Sequence, residues 1–203
     1  MYVPSAFAPD DAAVQQLLAR PGAADLVTHG PDGLDATLLP FVHDPGTGTL
    51  LGHFARTNEH WRRADGRPGL VIVRGPDSYV SPSWYASKAE HGRVVPTWNY
   101  VTAHLHGTVT VHDDGDWLAD VVRRLTDLHE SGRDEPWTVD DAPERFVRGQ
   151  LRAIVGVEFR IERIEAKFKL SQNRPAADID GVVAGLRADG DEAGARMVAA
   201  HRP

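Results

Sequence analysis

Four stretches place residues where plain structure would not need them. The first is Gly52-His53-Phe54-Ala55-Arg56-Thr57-Asn58-Glu59-His60-Trp61. It runs off a strand into a helix start, with Asn58 as N-cap. A guanidinium beside free helix amides is a good anion site, and Arg56 has that position; the plain alternative is a cap plus a surface arginine. The second is Gly75-Pro76-Asp77-Ser78-Tyr79-Val80-Ser81-Pro82-Ser83-Trp84-Tyr85. Its adjacent aromatics could wall a flat ring while its hydroxyls bond a phosphate or sugar. A rigid turn whose Trp84 and Tyr85 simply cover the core explains the same residues.

The third stretch is Pro96-Thr97-Trp98-Asn99-Tyr100, shortly after Lys88 and before His104-Leu105-His106-Gly107. Strand alternation puts Trp98 and Tyr100 on one face, Thr97 and Asn99 on the other, and His104 with His106 on a shared face. Two histidines lack the third ligand that a metal site needs. The fourth is Lys167-Phe168-Lys169-Leu170-Ser171-Gln172-Asn173-Arg174. It gathers three cations, an amide and a hydroxyl just before a helix, as phosphate sites do; a solvated strand end is the competing explanation.

The elements that must position these residues follow from periodicity and turn chemistry. Residues 10–20 read as a helix capped by Asp10 or Asp11 and ended by Pro21-Gly22. Strands are expected over 25–29, 34–42, 49–55, 70–74, 97–112 and 154–170, with turns at Pro31-Asp32-Gly33 and Asp44–Gly48. The strand at 70–74 is expected to end at Gly75-Pro76. Residues 116–130 carry Leu118, Val121, Val122, Leu125 and Leu128 on one helical stripe. A second helix is expected from about Asp140 to Leu151, and the chain from 175 onward reads as a helical tail. Many short strands with peripheral helices imply a closed or nearly closed antiparallel barrel of α+β class. One domain over 1–203 is expected, with a helical insert at about 115–151 and the tail at about 175–203.

Composition narrows the function classes. The 203 residues are 41% hydrophobic and 25% charged, ordinary for a globular protein. Cysteine is absent, which excludes disulfides, thiolate metal sites and cysteine nucleophiles. No apolar run reaches the ~18 residues a membrane helix requires. The N-terminal residues do not resemble a secretory signal, so a cytoplasmic location is expected. The net charge of −7 supplies no basic footprint for DNA. DNA remains a partner that charge does not support.

Taken in order, MYVPSAF at 1–7, LPF at 39–41, GHFARTNEHW at 52–61, GPDSYVSPSWY at 75–85, VPTWNY at 95–100, HLHG at 104–107 and KLSQNRP at 169–175 resemble the PaiB-like proteins. The resemblance implies a split β-barrel related to the pyridoxamine-phosphate-oxidase flavoproteins. It also implies a homodimer with flavin mononucleotide (FMN) at the subunit interface, and a negative transcriptional regulator linked to sporulation and protease genes. It marks Arg56, Asn58, Ser83, Trp84, Tyr85, Lys88, Thr97, Trp98, Asn99, Lys169 and Gln172 as cofactor-binding candidates. Arg56, Ser83, Lys88, Lys169 and Gln172 would form a phosphate clamp, and Trp84 and Trp98 would flank the ring. Leu38 stands where family members commonly have histidine. The related piperazate synthases bind haem b and form a nitrogen–nitrogen bond; on that reading His60 is the axial ligand. A flavin-dependent oxidoreductase is a further alternative. No nucleophile–base–orienter triad emerges and no carboxylate pair stands out, so no catalytic residue is assigned.

Overall fold

A computed structural model describes residues Met1 to Arg202. Six strands and seven α-helices make it up. The strands are β1 (Ala23–Gly30), β2 (Gly33–Asp44), β3 (Thr49–Ala55), β4 (Pro68–Val80), β5 (Thr97–His112) and β6 (Ile154–Lys169). They close into a barrel in the order β1-β2-β3-β6-β5-β4. The helices are α1 (Asp11–Ala19), α2 (His60–Ala64), α3 (Ser87–His91), α4 (Gly115–Glu130), α5 (Glu144–Leu151), α6 (Ala176–Ala188) and α7 (Glu192–Ala200).

The chain divides into two compact, discontinuous units. One comprises Gln15–Val73 and His104–Ile164; the other comprises Met1–Val14, Arg74–Ala103 and Glu165 onward. In the first unit, β1 and β2 form a hairpin that turns at Pro31-Asp32, with Gly30 opposite Gly33. Gly33 takes φ +114°, a conformation that costs a Cβ-bearing residue dearly. At the β2–β3 turn, the Asp44 carboxylate accepts from the Gly46 amide at 2.9 Å, and Gly48 again has positive φ. Alternation points Leu26, Phe41, Leu50, Phe54, Leu105 and Phe159 to the interior, each with no exposed surface. Each contributes roughly 1.5–3 kcal/mol by leaving water. A Cβ on Gly107 of β5 would lie 1.9 Å from the Arg160 carbonyl oxygen of β6, so these two strands approach as closely as only glycine allows.

Helix α4 begins where the Asp114 carboxylate accepts from the Trp117 amide at 2.8 Å. Its stripe of Val121 and Leu125 packs on Val42 of β2 and Leu51 of β3, as the 3.6-residue period requires. In the second unit, α6 and α7 are separated by Gly190, whose φ is +83°. Asp191 caps α7 by accepting from the Gly194 amide at 2.8 Å, and it also receives the Ser78 hydroxyl. The buried Asp178 of α6 accepts from the amide of Ser87 at 2.9 Å and from its hydroxyl at 2.8 Å.

Two expectations need correction. Strand β4 does not end at Gly75-Pro76 but runs on to Val80, because proline's fixed φ suits extended backbone and removes only one ladder donor. The helix expected from Asp140 is instead a 3-10 turn at Val139–Asp141 followed by α5, because Pro143 cannot carry a helical N–H. The helical tail comprises α6 and α7, with Pro203 outside the described residues. Among the described residues no helix is long and apolar enough to cross a membrane.

Candidate functional site

Arg56, Asn58 and His60 belong to the first unit, and the other nine sequence-derived candidates to the second. In the first unit Arg56 does not present a free guanidinium. Its Nη atoms bond both oxygens of Asp113, at 3.0 and 2.5 Å, while Nε donates to the Arg152 carbonyl at 2.8 Å and Nη2 to that of Ile154 at 2.9 Å. The hydrogen bond to Asp113 raises the Arg56 pKa and holds the Asp113 carboxyl below the usual range. Arg56 therefore ties the end of β3 to the start of β6, with its charge already matched.

Asn58 and His60 form a closed relay with two threonines. The Asn58 side-chain oxygen accepts from the His60 amide at 3.0 Å, an Asx turn leading into α2, whose N-cap position falls to Glu59 and not to the expected Asn58. Its amide nitrogen donates to Thr37 Oγ1 at 3.2 Å. Thr37 Oγ1 lies 2.8 Å from His60 Nδ1, and Thr28 Oγ1 lies 2.9 Å from Nε2. In the neutral ring one nitrogen donates to its threonine hydroxyl and the other accepts, so both are engaged. His60 is 2% exposed, and burial pushes its imidazole below the usual histidine range. Nearby Asp35 opposes that shift and Arg63 adds to it. An axial iron ligand needs an unengaged nitrogen, and His60 has none in this arrangement. The residue does not fit the haem role that the sequence suggested for it. Leu38, in the position commonly histidine, is 62% exposed on β2.

In the second unit Thr97, Trp98 and Lys169 are joined directly. Lys169 Nζ donates to Thr97 Oγ1 at 2.7 Å and to the Trp98 carbonyl oxygen. Burial lowers the Lys169 pKa, and the like charges of Lys167 and Arg174 lower it further. The Lys167 ammonium sits 5.5 Å from the Tyr100 ring centroid and 5.8 Å from that of Tyr2. The Arg174 guanidinium lies 4.5 Å over Tyr85. No ion pair with a carboxylate involves these three cations among the described residues. A partly buried ammonium facing two further cations favours an anion.

Buried Asn99 exchanges hydrogen bonds with Ser171 at 3.0 and 3.2 Å. Ser171 is the one residue other than glycine with positive φ among the described residues, at 68°. Gln172 closes the same turn, accepting from the Leu170 amide at 2.7 Å and donating to the Phe168 carbonyl at 2.6 Å. Asn99 and Gln172 thus shape the backbone beside Lys169. Exposed Trp98 meets Tyr79 edge to face, with centroids 6.1 Å apart.

Ser83 and Lys88 bond each other at 3.0 Å on an exposed surface. Trp84 packs on α6, where a Cβ on Gly185 would lie 2.2 Å from its ring and one on Gly181 would lie 1.9 Å from its carbonyl oxygen. Tyr85 is buried with its hydroxyl unpartnered, and burial raises its pKa. For Trp84 and Tyr85 the core-covering role is the one the packing displays. His104 and His106 share a face as alternation requires, and no group of three or more potential ligands stands together among the described residues. Sequence reasoning overlooked Thr28 and Thr37 as His60 partners and Asp113 as the Arg56 partner. No local signal marks residues 23 to 57 positions away as partners.

Solved structures with this fold define the class. A conserved hypothetical protein from Mycobacterium tuberculosis matches with a TM-score of 0.62 at 13% identity, over 86% of this chain and 94% of its own. The FAD and heme binding protein from Mycobacterium smegmatis matches with a TM-score of 0.58 at 19% identity, over 87% of this chain and 78% of its own. The fold is the split barrel of flavin-binding proteins. Residues 1–163 match the family described as "Putative FMN-binding domain", and the chain belongs to that family. Among its relatives, protease synthase and sporulation protein PAI 2 of Bacillus subtilis is 34% identical over 139 residues, spanning 68% of this chain and 64% of that protein. An uncharacterized protein of Aspergillus fumigatus is 33% identical over 206 residues, 79% of each chain.

Proposed function

We propose that this protein binds FMN as a homodimer and acts as a negative transcriptional regulator of the PaiB type. The observation that carries the cofactor half is the cationic group of Lys167, Lys169 and Arg174, unmatched by carboxylates and bonded through Lys169 to the backbone of exposed Trp98. A dianionic phosphate would answer the charge, and a flat isoalloxazine would cover an exposed indole. Thr97 and Lys169 would hold the phosphate end, with Asn99 and Ser171 keeping the turn in place. Bound flavin would supply redox capacity, tuned by these neighbouring positive charges. Exposed Leu34 and Leu38 on β2 support a second copy as partner. Membership of the family, and a relative whose name refers to protease synthesis and sporulation, support regulation. With a net charge of −7, DNA contact would fall to a local surface. A cytoplasmic location fits that role.

The test is FMN titration followed by absorption and flavin fluorescence. Wild type should bind with 1:1 stoichiometry per chain, and Lys169→Ala should weaken binding roughly 10- to 100-fold, the worth of one charge-assisted hydrogen bond. Equal affinity in the variant, or no binding by wild type, would overturn the assignment. Specific DNA retention that falls steeply with salt, and sedimentation as a dimer, test the other two parts.

A further inference from the structure

Two adjoining cavities lie outside the barrel, between β3, α4 and α5, all within the first unit. One measures about 280 Å3 and the other about 240 Å3. They share His53, Val122 and Trp137 in their walls. His53 follows Gly52 on β3, on the opposite face from Phe54, so its imidazole turns away from the interior. The second cavity is completed by Phe146 and Leu151 of α5.

We infer that these joined cavities form a binding site for a small uncharged aromatic molecule bearing one hydroxyl or carbonyl group, separate from the cationic FMN group. Four observations select that ligand class. The volume suits one or two rings, at the low end for organic ligands. No lysine or arginine lines either cavity, so an anion finds no counter-charge. Trp137 and Phe146 in the walls are 47% and 58% exposed, apolar area that a ring would cover. His53 Nδ1 is buried and without a hydrogen-bond partner, and burial keeps the ring neutral at pH 7. An unmatched imidazole in a mainly apolar wall is the polar anchor such pockets use for orientation. Of the other polar walls, the Thr126 hydroxyl donates to the Val122 carbonyl at 2.8 Å and Glu130 accepts from the Trp137 amide at 3.1 Å, while His129 and Gln150 are exposed side chains at the rim.

Phenol serves as the neutral probe and benzoate as its charged counterpart. Titrations are followed by Trp137 fluorescence, with Trp137→Phe as the blank, and by the imidazole resonances of His53. Phenol should give a saturable change, and benzoate should bind at least 10-fold more weakly. His53→Ala should weaken phenol about 2- to 10-fold, the worth of one neutral hydrogen bond. Val122→Trp, checked for native circular dichroism, should abolish the response by filling the shared wall. Non-saturable phenol effects, equal binding of benzoate, or an unaltered response in Val122→Trp would overturn the site. So would protection of Trp137 that rises with protein concentration in the absence of phenol, since a second copy would then be the occupant. FMN affinity should be unchanged in Val122→Trp, which separates failure here from failure of the flavin reading.

Discussion

Replacing His60 with alanine tests whether this histidine is a structural keystone of the first unit rather than a ligand held in reserve. The imidazole shares hydrogen bonds with Thr37 and Thr28 at 2.8 and 2.9 Å, and it meets Phe54 edge to face at 5.4 Å. Two neutral hydrogen bonds are worth about 0.5–1.5 kcal/mol each. The Thr28 hydroxyl, 2% exposed, would be stranded at a cost of about 1–3 kcal/mol, and the lost ring contact adds about 0.5–1.5 kcal/mol. These contributions overlap, so the expected loss is about 3 kcal/mol. In urea, with a slope near 3 kcal/mol/M for a chain of this size, that moves the unfolding midpoint down by about 1 M. A second signature is pH dependence. The folded pKa of His60 lies below its ordinary 6.5, so between those values the unfolded chain binds a proton that the folded chain refuses. Stability due to this group is therefore complete above pH 6.5 and declines as pH falls below it. Half-buried His43 and His53 act in the same direction, so His60→Ala should reduce the slope between pH 7 and 5 without abolishing it. A variant within about 0.5 kcal/mol of wild type, with an unchanged pH slope, would refute the account.

Other substitutions probe close approaches and buried charge. Gly156→Ala would place a Cβ 2.2 Å from the Trp117 ring and should cost about 1–3 kcal/mol in chemical denaturation. Gly149→Ala, in α5 with open space around it, should stabilise by about 0.5–1 kcal/mol, and the opposite ordering of the pair would contradict the packing. Asp178→Ala leaves the amide and hydroxyl of Ser87 without their acceptor in a buried setting. A loss of about 2–4 kcal/mol is expected in urea unfolding, and less than 1 kcal/mol would show the carboxylate to be dispensable.

The barrel was largely legible before any coordinates. Alternation in 97–112 and 154–169, the turn residues at 31–33 and 44–48, and the stripe at 118, 121 and 125 are local signals written at fixed periods. The Lys167–Arg174 cluster was legible too, because its members are neighbours in sequence. Misplaced boundaries fell at prolines, where one residue type suits either a turn or extended backbone. Pro76 lies within β4, whereas Pro143 stands at the N-cap position of α5.

What the chain alone determined, then, is where strands and helices form and which residue types carry positive charge. Tertiary structure alone decided which of those groups are already spoken for. Arg56 read as a free anion clamp until Asp113, 57 positions away, closed on it, and His60 read as an open ligand until Thr28 and Thr37 took both nitrogens. Hydrogen-bond saturation depends on partners brought together by strand pairing across the barrel, and periodicity along a single segment carries no record of them.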